Sequence, residues 1–180
     1  MIKKLIKSVL TLFRFIPFIN NLFFKWKLSR FPFPILLTNF IFQRVLRINS
    51  RVPFPVHYTS RVIGYNYLKL NKDSNTVGSF CLSHACYIQC LQGIEIGENF
   101  LFGPGISIIS VNHGVDNEYK DIKTKPVIIG NNVWLGTNVS ILPEVQLGNN
   151  VVVGAGSVVT RSFPDDVIIA GNPAVIIKKR

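Results

Sequence analysis

Three histidines are the side chains of this sequence best suited to proton transfer near neutral pH: His57, His84 and His113. Imidazole has an ordinary pKa of about 6.5, so it can take a proton from an attacking hydroxyl group and pass it on. His113 stands in a polar stretch, residues 111–125, with Asn112, Asp116 and Glu118. We expect His113 to act as a general base that Asp116 or Glu118 orients. The alternatives are a surface histidine without a role and solvated loop carboxylates.

The thiols form a second group with chemical potential. Cys81, Cys86 and Cys90 lie within ten residues of each other, and an odd number so closely spaced argues against a disulfide framework. Together with His84 they make a Cys/His cluster, but its spacing matches no standard zinc module. We therefore expect reduced thiols, a cytoplasmic protein and no bound metal.

A six-residue period from Ile94 onward describes the elements that must position these groups. The period places one aliphatic or aromatic residue at each repeat, usually followed by glycine; the positions are Ile96, Phe102, Ile108, Ile129, Leu135, Ile141, Leu147, Val153 and Val159. A short strand plus a two-residue corner explains a period of six, and three such sides close a triangular coil of about eighteen residues. Glycine and asparagine suit the corners because they tolerate positive φ. The sequence thus predicts an all-β solenoid. If the register extends backward, Cys90 and His84 point inward.

The period is interrupted once. The first series ends at Ile108 and the second begins at Ile129, so residues 111–125 leave the solenoid as a loop that carries His113. Such excursions from a rigid scaffold commonly carry function.

These residues resemble a known family. The segments Asn112-His113-Gly-Val-Asp116 and Lys125-Pro-Val-Ile-Ile-Gly-Asn-Asn-Val-Trp-Leu-Gly136 are similar to those of the hexapeptide-repeat acyltransferases, in the maltose, galactoside and polysaccharide O-acetyltransferase branch. The resemblance covers residues 62–179. It implies a left-handed parallel β-helix, assembly as a homotrimer with intersubunit active sites, and acetyl transfer from acetyl-CoA to a sugar hydroxyl, in surface polysaccharide biosynthesis. It also implies that His113 is the catalytic base.

The same resemblance implies the binding residues. The coenzyme contacts map onto Trp134, Thr137, Ala155, Thr160, Arg161 and Lys178, while Val175 stands where relatives often carry a second basic residue. Contacts with the acceptor map onto Ser83, His84 and Asn112. The C-terminal stretch from Ala170 to Ala174 resembles the signature that closes the family's solenoid, after which we expect the tail to turn outward.

The N-terminal part follows different rules. Residues 1–72 hold thirteen Lys or Arg and no acid, whereas the remainder carries a net charge of −2, and the whole chain has +11. Apolar and basic residues alternate with helical spacing in residues 2–16, 22–30 and 35–48. Such helices suit an anionic membrane surface, or pack on the protein or on a partner subunit. No apolar run approaches the roughly 18 residues of a membrane-spanning helix, and no nucleic-acid motif accompanies the charge.

The predicted organisation is therefore a basic amphipathic helical extension (1–60), a β-helix domain (61–165) with the loop 111–125, and a C-terminal cap with a basic tail (166–180). The protein is expected in the cytoplasm, at the inner face of the cell membrane. Three alternatives remain open: a serine or amino-sugar acetyltransferase of the same fold, a zinc-dependent β-helix carbonic anhydrase that uses the three histidines, and a non-catalytic membrane scaffold.

Overall fold

Three parallel sheets form the sides of a triangular prism in the computed structural model, which describes residues 31–71, 73–113 and 121–180. Side one consists of β1 (Arg61–Ile63), β3 (Tyr87–Gln89), β6 (Ser107–Ile109), β11 (Ser140–Ile141) and β14 (Val158–Val159). Side two consists of β2 (Leu68–Leu70), β4 (Ile94–Ile96), β9 (Val127–Ile129) and β12 (Gln146–Leu147). Side three consists of β5 (Leu101–Phe102), β10 (Trp134–Leu135), β13 (Val152–Val153), β15 (Val167–Gly171) and β16 (Ala174–Lys179). The predicted three-sided parallel β-helix is confirmed.

The eighteen-residue coil is visible in the strand register. Ile129 pairs with Leu147 on side two, and Leu135 pairs with Val153 on side three, each exactly one coil later in the sequence. All nine positions of the predicted series are buried. Stacking each inward side chain on its equivalent one coil away gives a continuous apolar core, which is why the six-residue pattern specifies this fold.

The corners that lead from side two to side three follow the expected chemistry. Asn132 and Asn150 have left-handed backbone conformations, with φ of 56° and 58°, and the side-chain amide of Asn132 donates to Oδ1 of Asn150 at 3.1 Å. A Cβ on Gly130 would lie 2.6 Å from the carbonyl oxygen of Gly148, so the close approach of consecutive coils requires glycine there.

A helix that the sequence analysis did not predict replaces one strand of side three. Helix α2 (Ser74–Leu82) follows β2, and its N-cap Asp73 accepts hydrogen bonds from the backbone of Asn75 and Thr76 and from the hydroxyl of Thr76. Burial by itself would raise the pKa of Asp73. The hydrogen bonds donated by Thr76, Asn99 and Asn75 outweigh it and hold that pKa below its usual value. The ionised carboxylate thus links α2 to the next coil through Asn99.

The N-terminal part of the described chain packs against the start of the β-helix. Helix α1 (Phe33–Phe40) continues as a π-helical turn (Ile41–Val45), and the two overlap the third predicted helical stretch, residues 35–48. Asn39 is buried, and its amide donates to the carbonyl of Cys81 at 2.9 Å, which joins α1 to α2. Residues 46–60 form turns, and the predicted helices in residues 2–16 and 22–30 lie outside the described residues. In the described ranges, no helix combines the length and the apolar character needed to cross a membrane.

The C-terminal tail differs from the expectation. Strand β16 pairs antiparallel with β15, with Lys178 opposite Ile168, so the tail returns along side three instead of turning outward. The main chain finds hydrogen-bond partners on the open edge of β15, which explains why it stays on the sheet.

Candidate active site

The loop that carries His113 lies at the corner between side one and side two. Ile96 pairs with Ile129, 33 positions later, whereas Ile129 pairs with Leu147, 18 positions later, so the coil that holds the loop is 15 residues longer than its successor. The chain leaves β6 and forms an antiparallel pair of β7 (Asn112–His113) and β8 (Asp121–Ile122), in which His113 is the register partner of Asp121. Of His113 the structure describes the main chain.

Hydrogen bonds fix both ends of this loop on the β-helix. The hydroxyl of Ser110 donates to the carbonyl of Gln89 at 2.8 Å, and the hydroxyl of Thr124 donates to the carbonyl of Ser110. The backbone N–H of Lys125 donates to Oε1 of Glu144 at 3.1 Å. His113 is three residues beyond Ser110, so its position along the solenoid is set by these bonds.

The candidate partners of His113 are placed in part. Asn112 is exposed, as an acceptor contact requires, and Asp116 and Glu118 lie outside the described residues. Sequence reasoning did not single out Asp121 as a partner, because its register opposite His113 depends on the hairpin and no sequence signal marks it.

The six candidate coenzyme residues fall at three places on the surface of one chain. Trp134 is 55% exposed on the outer face of side three, between the register partners Leu101 and Val152, and Lys178 lies on the same side. Thr137 and Ala155 occupy consecutive coils at the corner from side three to side one. There the backbone N–H of Gly156 donates to the carbonyl of Thr137 at 2.8 Å.

Thr160 and Arg161 are exposed at another corner, from side one to side two, where the Arg161 guanidinium lies 5.4 Å from the ring centroid of Phe163. One chain therefore places Trp134 and Lys178 on the same side of the prism, three strand spacings apart. It sets Thr137 beside Ala155 and Thr160 beside Arg161, but does not unite the three pairs.

His84 and His57 lie next to the corner that holds Thr137 and Ala155. The carbonyl of His84 accepts from the N–H of Gly105, in the same way as the carbonyl of Thr137, two coils further on, accepts from the N–H of Gly156. His84 is exposed, so the expectation of an inward position is wrong for it, while Cys90 is fully buried as expected. The register shifts because α2 replaces a strand just before His84.

The imidazole of His57 is buried and held in one orientation. Its Nδ1 accepts a hydrogen bond from the N–H of Thr59 at 3.3 Å, and its ring stacks on Tyr58 with centroids 4.6 Å apart. Burial, and to a smaller extent the charge of His84, lower the pKa of His57. The two ring centroids are 6.0 Å apart. His57 is thus a buried structural group, and of these two histidines His84 is the one exposed to a ligand.

Ser83 has a structural role in this arrangement. It is buried, and its hydroxyl donates to the carbonyl of Phe102 at 2.7 Å, while its own carbonyl accepts from the hydroxyl of Ser60 at 2.9 Å. A contact between the acceptor and His84 or Asn112 remains a prediction.

The three thiols are buried and unoxidised. Burial raises the pKa of Cys81 to about 11 and that of Cys90 to about 12, and it also raises the pKa of Cys86. Thiols in this state are poor nucleophiles near pH 7. Among the described residues, no group of three or more His, Cys, Asp and Glu side chains is arranged to hold a metal ion.

Residues 126–161 match the family model described as bacterial transferase hexapeptide, six repeats. This stretch of the chain therefore consists of hexapeptide repeats. The galactoside O-acetyltransferase of Escherichia coli is 39% identical to the chain over 89 residues, which are 48% of this chain and 44% of the relative. The putative lipopolysaccharide biosynthesis O-acetyl transferase WbbJ of Escherichia coli is 38% identical over 105 residues, 52% of this chain and 54% of WbbJ. Each match spans about half the length of the curated relative.

A solved structure agrees with this β-helix. A mutant of AntD, an N-acyltransferase from Bacillus cereus in complex with dTDP and coenzyme A, superposes on this chain with a TM-score of 0.51 at 21% identity, covering 71% of this chain and 81% of AntD. This likeness shows the fold. The hexapeptide match and the superposition support the left-handed coil that the sequence resemblance implied.

Proposed function

We propose that this protein is an acetyl-CoA-dependent O-acetyltransferase that acts on a sugar hydroxyl in surface polysaccharide biosynthesis. The observation that carries the proposal is a hexapeptide coil whose 15-residue insertion, fixed at both ends, presents His113 at one corner. The relatives that share the coil at 38–39% identity are named O-acetyltransferases, which supports this reaction over other uses of the fold.

His113 acts as the general base in this mechanism. Its imidazole takes the proton of the sugar hydroxyl while the oxygen attacks the thioester carbonyl; the C–O bond forms, the C–S bond breaks, and the proton passes to the departing coenzyme thiolate. Asp116, Glu118 and Asp121 are the candidate carboxylates that orient the imidazole. Transfer is direct, because burial leaves Cys81, Cys86 and Cys90 without nucleophilic character and no other activated nucleophile is implied.

The coenzyme lies in a groove between two protomers of a homotrimer. The separation of the three pairs of coenzyme residues on one chain supports this arrangement, since a second copy of the chain can bring one face of the prism against another. In that groove Trp134 packs against the coenzyme, and Arg161 and Lys178 meet its phosphates through charge-assisted hydrogen bonds. The backbone at Thr137 and Ala155 pairs with the pantetheine amides.

Turnover of acetyl-CoA against a panel of sugars, nucleotide sugars and lipid-linked oligosaccharides tests the reaction, with serine and amino sugars included as amine acceptors. We expect release of coenzyme A only with hydroxyl acceptors.

Trp134→Ala should raise KM for acetyl-CoA about threefold to tenfold through the lost aromatic packing. Tyr67→Ala removes another exposed aromatic ring outside the groove and should leave KM unchanged. Transfer to amines alone would replace the sugar proposal, and equal KM values for both variants would remove Trp134 from the groove.

The N-terminal part binds the inner face of the cell membrane in this proposal. Phe33, Leu37, Ile41 and Val45 follow each other at four-residue spacing with exposed side chains, and exposed Arg47 and Arg51 come soon after them. An exposed apolar stripe beside cations suits the interface of an anionic bilayer, where each nearby cation contributes about 1 kcal/mol.

Flotation with vesicles that contain phosphatidylglycerol tests the membrane contact. The double variant Leu37→Asp with Ile41→Asp should lose vesicle binding, because it places two carboxylates on the stripe. Val175→Asp, which changes an exposed apolar residue on β16, serves as the matched control and should float like the unmodified chain. Unchanged flotation of the double variant would show that this stripe does not bind the membrane.

A further inference from the structure

A cavity of about 330 Å³ opens at the first corner between side one and side two, and three arginines line it. Arg47 and Arg51 come from the turns that precede the β-helix, and Arg61 begins β1. No carboxylate lines the cavity, and all three side chains are exposed enough to meet a ligand. The cavity lies outside the candidate coenzyme residues.

The turns that carry two of the arginines are held from below by a buried amide. Gln43 is 4% exposed, and its Nε2, which carries two protons, lies within hydrogen-bond distance of three carbonyl oxygens: those of Val52 and Phe54 at 2.9 Å each and that of Asn49 at 3.2 Å. Its Oε1 accepts from the N–H of Val56 at 3.2 Å. One side chain thus fixes the path of the whole turn through both the N–H groups and the oxygen of its amide.

A second amide attaches the same turn to the β-helix. The side chain of Asn49 donates to the carbonyl of Ser60 at 2.8 Å and accepts from the N–H of Val62 at 3.0 Å. Arg47 and Asn49 both have left-handed backbones, with φ of 63° and 55°. For an arginine this conformation is unfavourable, so the surrounding bonds impose it. These hydrogen bonds therefore hold the cavity wall in a defined conformation.

The charges of this wall are not balanced within the described part of the chain. The ion pair found among the described residues joins Lys69 to Glu95 at 2.8 Å, and it involves none of the cavity arginines. Three cations around one cavity repel each other, and this repulsion is relieved when an anion enters. Guanidinium groups bind phosphate oxygens in a bidentate way, and a phosphoryl group can share its several oxygens among three arginines, whereas a carboxylate has only two.

We infer that this cavity is a binding site for a phosphoryl group, with room for the two phosphates of a diphosphate. Ser50, Asn66 and Tyr65 also line it and offer polar groups to the remaining oxygens. A nucleotide sugar and a lipid-linked sugar present the same diphosphate chemistry, and the experiment below separates these two sources.

The cavity shares one corner of the prism with the loop that carries His113. A Cβ on Gly64, in the cavity wall, would lie 3.1 Å from the backbone nitrogen of Leu91, and one on Gly93 would lie 3.1 Å from Cβ of Pro126 at the end of the loop. The two places are thus two coils apart, about 10 Å at the spacing of paired strands. If the proposed sugar transfer is correct, this site holds the diphosphate of the acceptor while its sugar reaches His113.

Calorimetric titration of the full chain with inorganic pyrophosphate, in low-salt buffer without phosphate, tests the site. Arg47→Gln, Arg51→Gln and Arg61→Gln should each weaken binding about tenfold, since each removes charge-assisted hydrogen bonds. Lys69→Gln removes one positive charge outside the cavity and should bind like the unmodified chain. Equal affinity of all four variants for pyrophosphate, or no binding by the unmodified chain, would overturn the site.

Two further arms identify the source of the phosphoryl group. UDP-glucose in the same titration represents a nucleotide sugar, and vesicles of phosphatidylcholine with a polyprenyl diphosphate represent a lipid-linked acceptor. If the arginine variants bind UDP-glucose more weakly than the unmodified chain, the source is a nucleotide sugar; if they bind the polyprenyl diphosphate vesicles more weakly, it is a lipid-linked sugar. Equal binding by the variants and the unmodified chain in both arms would contradict a role in acceptor binding. Pyrophosphate binding without acetylation of any acceptor would retain the site and remove the proposed function.

Discussion

Replacing His113 by alanine is expected to lower kcat for acetyl transfer by about a thousandfold, within the range of roughly 10²–10⁴ that a positioned general base contributes. The expected loss has one cause: without the imidazole, the attacking hydroxyl must give its proton to water as it bonds to the thioester carbon. KM for acetyl-CoA should change little, because in the proposed mechanism His113 contacts the attacking hydroxyl and not the body of the coenzyme. Initial rates of coenzyme A release measure both parameters.

Three readouts separate a lost base from a damaged fold. The variant should keep the oligomeric state and the thermal midpoint of the unmodified protein, since the bonds of Ser110 and Thr124 fix the loop without His113. The acidic limb that a histidine base gives to the rate profile should vanish. Added imidazole should restore part of the rate. Turnover within about threefold of the unmodified protein, in a correctly assembled variant, would show that another group is the base.

The regular part of the β-helix could be predicted because each inward position has the same requirement in every coil. Ile129, Leu147 and their equivalents pack on one another, so an aliphatic residue recurs every six positions, and Asn132 and Asn150 recur where the backbone turns left-handed. Local chemistry and the global fold thus demand the same residues. The position of the loop could be predicted as well, because the six-residue period stops at Ile108 and restarts at Ile129.

The first coil could not be predicted, because distant contacts specify it. Helix α2 depends on Asp73 accepting a hydrogen bond from the N–H of Asn99, and on the amide of Asn39 reaching the carbonyl of Cys81. Neither contact leaves a period in the sequence. The helix also shifts the register that placed His84 inward, which is why that expectation failed while Cys90 was correctly placed.

In the candidate site too, one feature could be predicted from a local sequence signal and another could not. A histidine in a polar interruption is a local signal, and the sequence therefore pointed to His113. The cavity of Arg47, Arg51 and Arg61 gave no such signal, since its arginines belonged to a long basic segment in which every cation looked alike. Only the turn held by Gln43 shows that these three, and not their neighbours, surround one space.

Phe80→Ala is expected to lower the free energy of unfolding by about 3–5 kcal/mol, the usual cost of removing a fully packed aromatic side chain. Phe80 is 2% exposed in α2, and its ring centroid lies 5.0 Å from that of Phe54 and 5.1 Å from that of Phe102. Phe54 belongs to the N-terminal turns and Phe102 to β5, so one ring joins three parts of the chain and its loss leaves a cavity among them.

Urea denaturation followed by circular dichroism measures this effect, and Leu82→Ala in the same helix is the matched control. Leu82 is 40% exposed, so its truncation removes little buried surface and should cost less than about 1 kcal/mol. A difference between the two variants of at least about 2 kcal/mol is expected. If both variants lower the free energy of unfolding equally, the hydrogen bonds of Asp73 and Asn39, rather than ring packing, keep α2 at the position where side three lacks a strand. In that case Asp73→Asn should become the more destabilising change, because the carboxylate accepts the hydrogen bonds that join α2 to the next coil.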